Sequence, residues 1–242
     1  MKVLLAPLIL ALSACGVLPR STPEPVPTRT AGSGEAKELV LFLPGRWSRV
    51  EEFEDEGFFE IARERWPKAR LVAADLHLGY YRNQTGSKRL HEDIIAPARR
   101  EGVETVRVVG ISMGGLGGLI HDLQYPDDID ELFLLSPFVG EEEVIAEIEA
   151  AGGVRKWKGE PENERDFTRR LWRGLEQRWI KEGKAPEASL ACGTEDRLVD
   201  SNRRFATDFL DQDRVLWRPG DHDWPTWRRL FGEMIKSPLR SR

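Results

Sequence analysis

The chain is poor in the residues that would tie it to several function classes. Two cysteines in 242 residues are too few for a disulfide framework, and no spacing of Cys, His and acidic residues suggests a metal site, so neither a metal nor a cofactor is expected. A cationic excess is missing as well. With 36 Lys+Arg against 41 Asp+Glu and a net charge of −5, the chain gains little from releasing phosphate counterions, which argues against a nucleic-acid partner. There is no long apolar run. The one that begins at Val3 stops at Leu12, too short to stay in a bilayer as a spanning helix. No internal repeat is visible, and only four histidines are available as general bases. What is present, 40% hydrophobic and 32% charged residues with eight Trp, describes a compact soluble fold around one core.

Lys2 followed by the apolar run reads as a targeting signal over 1–14. Leu12-Ser13-Ala14-Cys15 looks like a bacterial lipobox, in which the cysteine is lipidated and becomes the first mature residue. The alternative is an ordinary secretory signal cleaved nearby, and both take the chain out of the cytoplasm. With Cys15 lipidated the expected location is the bacterial cell envelope, anchored to a membrane by lipid. Gly16, rather than Asp, points by analogy with bacterial sorting to the outer membrane, facing the periplasm. Cys192 then has no intramolecular partner and reads as a core thiol in an apolar strand. Pro19, Pro23, Pro25 and Pro27, among Ser, Thr and Gly with no hydrophobic period, predict a semi-extended tether over 15–37. The folded domain is expected over 38–242.

Within that domain short apolar runs alternate with longer amphipathic ones. Strands are predicted at Leu39 to Leu43, Arg70 to Ala74, Val106 to Gly110, Leu132 to Leu135, Ala188 to Cys192 and Val215 to Trp217. Runs apolar on successive residues suit strands covered on both faces. Helices are predicted at Phe53 to Trp66, Lys88 to Glu101, Gly114 to Gln124, Asn202 to Leu210 and Trp224 to Ile235. The alternation predicts an α/β fold of three layers, a mostly parallel sheet of about six strands between helices. The stretch 138–186 is longer than one crossover needs. Its helical patterns at Glu141 to Ala150 and Glu164 to Lys181, with Trp157, Trp172 and Trp179, read as a small helical cap over the strand ends. The other reading is a surface excursion whose tryptophans pack on the main core.

The strongest local signal is Gly110-Ile111-Ser112-Met113-Gly114, where an apolar strand runs into Gly-x-Ser-x-Gly and then into a helix start of small residues. A serine on so sharp a turn needs strained backbone angles and neighbours without a Cβ, which Gly110 and Gly114 supply. Ser112 is therefore the candidate nucleophile, and a hydroxyl needs a base within reach. His91 and His121 fall inside helix patterns. His222 follows the last strand in a loop opening into the final helix, where this strand-turn-helix architecture places its base; His77 is the alternative. The acid is expected after the preceding strand, in Gly193-Thr194-Glu195-Asp196, where Asp196 is favoured over Glu195 and Asp200 suits a helix N-cap. Backbone N–H groups for an oxyanion are expected from Met113 and from the loop Pro44-Gly45-Arg46-Trp47, at Arg46 or else Trp47. Trp47 is also a candidate for the substrate pocket, with His77, Tyr80, Tyr81 and Arg82 beyond a strand's carboxyl end, where open α/β sheets bind ligands.

At these residues the chain resembles the α/β-hydrolase superfamily, and within it bacterial carboxylesterases of the esterase D and tributyrin esterase kind. Gly110-Ile111-Ser112-Met113-Gly114-Gly115 is similar to their elbow, Gly193-Thr194-Glu195-Asp196 with Asn202-Arg203-Arg204-Phe205 to their acid loop, and Gly220-Asp221-His222-Asp223-Trp224 with Trp227 to their histidine segment. Those esterases usually carry antiparallel N-terminal strands, for which the stretch between Glu38 and Arg70 leaves no room. The resemblance implies an α/β-hydrolase fold and hydrolysis of a small-molecule or lipid carboxylic ester through an acyl-enzyme. Acyl transfer, thioester or lysophospholipid cleavage by the same triad, and a non-catalytic envelope binding module on the same fold, are the alternatives.

Overall fold

The computed structural model describes residues 20–32, 36–161 and 163–236. The signal over 1–14 and the lipidation site Cys15 lie outside the described residues. Among those described, no helix is long and apolar enough to cross a membrane.

Seven strands of the described residues form one sheet: β1 (Thr28–Ala31), β2 (Glu38–Leu43), β3 (Arg70–Ala74), β4 (Thr105–Ile111), β5 (Glu131–Leu135), β6 (Glu187–Gly193) and β7 (Val215–Arg218). Their spatial order is β1-β3-β2-β4-β5-β6-β7, parallel throughout except for β1 against β3. The helices are α1 (Glu52–Asp55), α2 (Phe58–Arg65), α3 (Leu78–Arg82), α4 (Gly86–Arg89), α5 (Ala96–Arg100), α6 (Met113–Gln124), α7 (Glu142–Ala150), α8 (Phe167–Leu175), α9 (Val199–Phe209) and α10 (Trp224–Lys236). Wider π turns at Leu90–Ile95 and Glu176–Lys181 lead into α5 and extend α8.

The run Leu39-Val40-Leu41-Phe42-Leu43 is wholly buried because successive side chains leave a strand on opposite faces and both faces are covered. Leu39, Leu41 and Leu43 join Val108, Leu134 and Leu190 in one core with Leu119 of α6, Leu171 of α8 and Phe205 of α9. Val40 and Phe42 join Val109, Phe133 and Ala191 in the other, with Phe58 of α2 and Phe231 of α10. This is the predicted three-layer α/β arrangement. One predicted helix, Phe53 to Trp66, is broken into α1 and α2 at Gly57, whose φ of 78° is left-handed.

The tether predicted over 15–37 needs correction for its described part. Arg20 to Ala31 lies against the domain, and β1 adds a seventh strand, antiparallel to β3. Between Arg20 and Ala31 only Val26 is buried, so hydrophobic patterning gave no sign of the strand. Order comes from polar contacts instead. The backbone of β1 completes the exposed edge of β3, the Val26 N–H donates to Asp93 Oδ2 at 2.9 Å, and Glu24 pairs with Arg89 at 2.9 Å. The antiparallel strand for which no room was found after Glu38 therefore precedes it.

The insertion packs inward. Trp157, Trp172 and Trp179 are buried in the first core, with Trp172 and Trp179 edge-on to Phe205. Asp122 of α6 accepts two hydrogen bonds from Arg178 (3.0 and 3.1 Å) and one from Trp179 Nε1 (2.7 Å), which fastens the insertion to the helix that follows Ser112.

Candidate active site

Ser112 sits between β4 and α6 with φ 51° and ψ −114°, a conformation that costs about 1–3 kcal/mol for a residue with a side chain. Its neighbours account for how the turn closes. A Cβ on Gly114 would lie 2.0 Å from the Leu43 carbonyl oxygen, and one on Gly110 would lie 2.6 Å from that of Gly114. Both positions exclude any larger residue. The turn is tied down by Ser112 N–H to Leu135 O and by Phe138 N–H to Ser112 O, each at 2.9 Å.

His222 Nε2 stands 3.0 Å from Ser112 Oγ, and His222 Nδ1 lies 2.8 and 3.0 Å from the two oxygens of Asp196. An ionised carboxylate only accepts, so Nδ1 carries the proton and Nε2 is left to accept from the serine hydroxyl. Burial pushes the Asp196 carboxyl upward, but hydrogen bonds from His222, the Leu198 N–H (2.8 Å) and Ser136 outweigh it and hold the group below the ordinary carboxylate range. Trp227 meets the imidazole ring edge-on at 4.9 Å. The three side chains singled out in the sequence thus meet at the carboxyl end of the sheet.

Glu195 does something else. It is exposed, accepts from the Gly220 N–H, and donates its own N–H to Gly220 O at 3.1 Å, so it ties the acid loop to the histidine loop. Close approach of those loops explains Gly193, where a Cβ would lie 2.1 Å from Gly220 O. Asp200 is no N-cap: it lies inside the first turn of α9, after the cap residue Leu198, and pairs with Arg203.

The loop after β2 passes beside the serine, with the Cβ position of Gly45 3.7 Å from Ser112 Cβ. Among the described residues no group accepts a hydrogen bond from the N–H of Arg46 or of Met113. Tyr81 Oη donates to Met113 O at 2.8 Å, and burial raises its phenol pKa. Ser112 opens onto a cavity of about 860 Å³. Arg46, Tyr80, Tyr81 and Arg82 line it, as do Glu141, Arg165, Phe167, Arg170 and Leu171 of the insertion and Arg197 beside the acid.

Two predicted pocket residues are not brought to it. Trp47 is 73% exposed, with the Arg46 guanidinium 5.0 Å over its ring. His77 is buried but turned the other way: Nδ1 accepts from Gly79 N–H at 3.1 Å and Nε2 donates to Ser21 O at 3.0 Å. Its ring caps α3 and holds the N-terminal segment. Tyr80 lines the cavity yet donates its phenol to Pro23 O at 2.8 Å; burial, then Asp75 and Asp93, push its pKa up to about 12. Ser136, Phe138 and the arginines of the insertion were missed. Only Arg197, next to the acid, carried a positional signal. Cys192 is a free buried thiol, pushed up to about 12 chiefly by burial.

Fold and site together define an α/β-hydrolase. The chain belongs to the Esterase family, described as "Putative esterase", whose model matches residues 88–237, and it is an ester-hydrolysing enzyme. No curated protein matches it. Among solved structures it is similar to Est1E from Butyrivibrio proteoclasticus with bound ferulic acid (TM-score 0.59, 18% identity, 87% of this chain and 92% of that one). It is also similar to S-formylglutathione hydrolase from Staphylococcus aureus (0.57, 19%, 83% and 80%) and to a thioesterase domain from the curacin biosynthetic pathway (0.51, 14%, 87% and 94%). At these identities the likeness is one of fold.

Proposed function

We propose that the chain hydrolyses a carboxylic ester through an acyl-enzyme on Ser112. The observation that carries the reading is the unbroken line from Asp196 through His222 to Ser112 Oγ, with contacts of 2.8 and 3.0 Å, on a strained strand-to-helix turn. His222 Nε2 takes the hydroxyl proton as Oγ bonds to the ester carbonyl carbon. Charge develops on the carbonyl oxygen, where the N–H groups of Met113 and Arg46 receive it. Collapse breaks the bond to the alcohol, which leaves with the proton held by His222. Water then repeats the cycle, its proton passing to His222 and back to Ser112, and the acid is released. Asp196 holds the imidazole tautomer and balances the imidazolium without taking the proton itself.

Membership of an esterase family and similarity to esterase structures support the reaction class. The lipobox-like Leu12 to Cys15 supports a place for the enzyme at a bacterial envelope membrane. A fluorophosphonate probe, which modifies only an activated serine, tests the mechanism. Wild type is expected to label and Ser112→Ala to stay unlabelled; labelling of both, or of neither, removes Ser112 as nucleophile. A binding module that merely keeps the fold gives no labelling in either.

A further inference from the structure

In a chain of net charge −5, most buried or half-buried arginines are neutralised: Arg89, Arg107, Arg178 and Arg204 each sit against carboxylates. The solvent-facing rim of the Ser112 cavity is different. Arg46, Arg82, Arg165, Arg170 and Arg197 all line it, against two acidic residues, Glu141 and Glu164. Among the described residues none of these five guanidiniums is in an ion pair; Arg170 donates only to the Glu164 carbonyl, and Arg46 lies over Trp47.

The five come from four separated stretches. Arg46 follows Gly45 beside the serine, Arg82 ends α3, Arg165 and Arg170 belong to the insertion, and Arg197 follows Asp196. Such convergence needs no local sequence pattern and neutralises nothing within the protein. All five are exposed, whereas Leu76, Met113, Leu116 and Leu171 in the same cavity are buried. The cavity therefore has an apolar floor leading from Ser112 and a rim of unneutralised, planar cations suited to paired contacts with carboxylate or phosphate oxygens.

We propose that this cavity takes amphiphilic anions: esters whose apolar chain lies on the floor and whose carboxylate or phosphate is held by the arginine rim. The inference rests on the hydrolase reading for the word ester, but the rim can be tested apart from catalysis. Exposed charge contacts each contribute a few-fold, so several together favour an anion by about tenfold.

Three esters sharing one skeleton make the test: butyl hexanoate, the monobutyl ester of adipic acid, with a carboxylate at the acyl end, and 4-(hexanoyloxy)butyl phosphate, with the anion on the alcohol. At low salt, kcat/KM for at least one anionic ester should exceed that for butyl hexanoate by about tenfold. Whichever ester gains tells on which side the anion lies. The ratio should shrink as ionic strength rises to about 0.5 M. It should fall towards unity when Arg82→Gln, Arg165→Gln and Arg170→Gln are combined, three exposed side chains whose replacement breaks no ion pair. Equal rates for the three esters, or a ratio unmoved by salt and by the triple variant, would overturn the proposal. Calorimetric binding of octyl phosphate and of octanol to Ser112→Ala reads the rim without turnover: preference for the phosphate, lost in the triple variant, supports it, and equal binding overturns it. Absent turnover and absent probe labelling together with that preference would remove the hydrolase reading alone.

Discussion

The phenol of Tyr81 reaches 2.8 Å to the carbonyl oxygen of Met113, the residue whose N–H is assigned to the oxyanion. The carbonyl end of Met113 is thereby held from α3, and its N–H is the one proposed to receive the oxyanion. A Cβ on Gly117 would lie 2.4 Å from Tyr81 Oη, so the phenol fits where α6 has no side chain. Tyr81→Phe keeps the ring and removes the tether. We expect a stability loss of about 0.5–1.5 kcal/mol and a fall in kcat of a few-fold, with little change in KM for a small ester. Denaturant unfolding and steady-state kinetics read the two separately. A change confined to KM would place Tyr81 in binding and not in positioning.

Asp196→Asn should leave the fold in place and lower kcat by about 10⁴, because an amide can hold the imidazole in the wrong tautomer. The same residue predicts a pH effect. Its pKa in the fold is below the ordinary value, so the unfolded chain binds the proton more readily. The stabilisation is complete above the unfolded pKa of about 3.9 and is lost as pH falls through the folded value. Urea unfolding should therefore show wild type and Asp196→Asn converging in stability as pH drops below about 4. A stability gap that widens in acid would contradict the assignment.

How much of this was legible in the sequence depended on whether the governing force leaves a pattern along the chain. Ser112, Asp196 and His222 were readable because each sits on a strand-end turn of fixed chain order, and because Gly110, Gly114 and Gly193 mark approaches that a Cβ would block. Both faces of β2 showed in its unbroken apolar run. β1 left no trace, since Thr28, Arg29 and Thr30 face solvent and its pairing with β3 is made by the backbone, which leaves no pattern of side chains. His77 was misread because chain position brings it to the right rim while its ring points back to Ser21. Of the arginine rim, Arg82 and Arg46 were placed near the site from their positions after strands, but the convergence of all five was not, because charge on separate loops does not reveal which loops share a cavity.

His77→Ala tests that reversal. Two hydrogen bonds are lost, one to the first turn of α3 and one to the N-terminal segment, at a cost of about 1–2 kcal/mol. Limited trypsin digestion should cut sooner at Arg20 and Arg29, while kcat/KM for a small ester stays within about twofold at this distance from the reacting atoms. A large loss of turnover with unchanged proteolysis would return His77 to the substrate site.

Asp122 is fully buried and Arg178 nearly so, and their pairing joins the helix behind Ser112 to the far end of the insertion. Arg178 is driven above its ordinary pKa first by its hydrogen bonds to Asp122, against desolvation. Breaking one side is costly because the other charge stays behind. Asp122→Ala leaves Arg178, among the described residues, with only the exposed Asp127 at 3.7 Å and strips Trp179 Nε1 of its acceptor. The expected loss is about 3–5 kcal/mol. Replacing both ends, as in Asp122→Leu with Arg178→Met, removes the stranded charge and should recover most of it, because the pair's Coulomb energy is largely cancelled by the cost of drying two ions. Thermal unfolding of the two variants separates the cases. If the double replacement is no more stable than Asp122→Ala, the contact acts through shape and the hydrogen bond to Trp179, and charge compensation is not what fastens the insertion to α6.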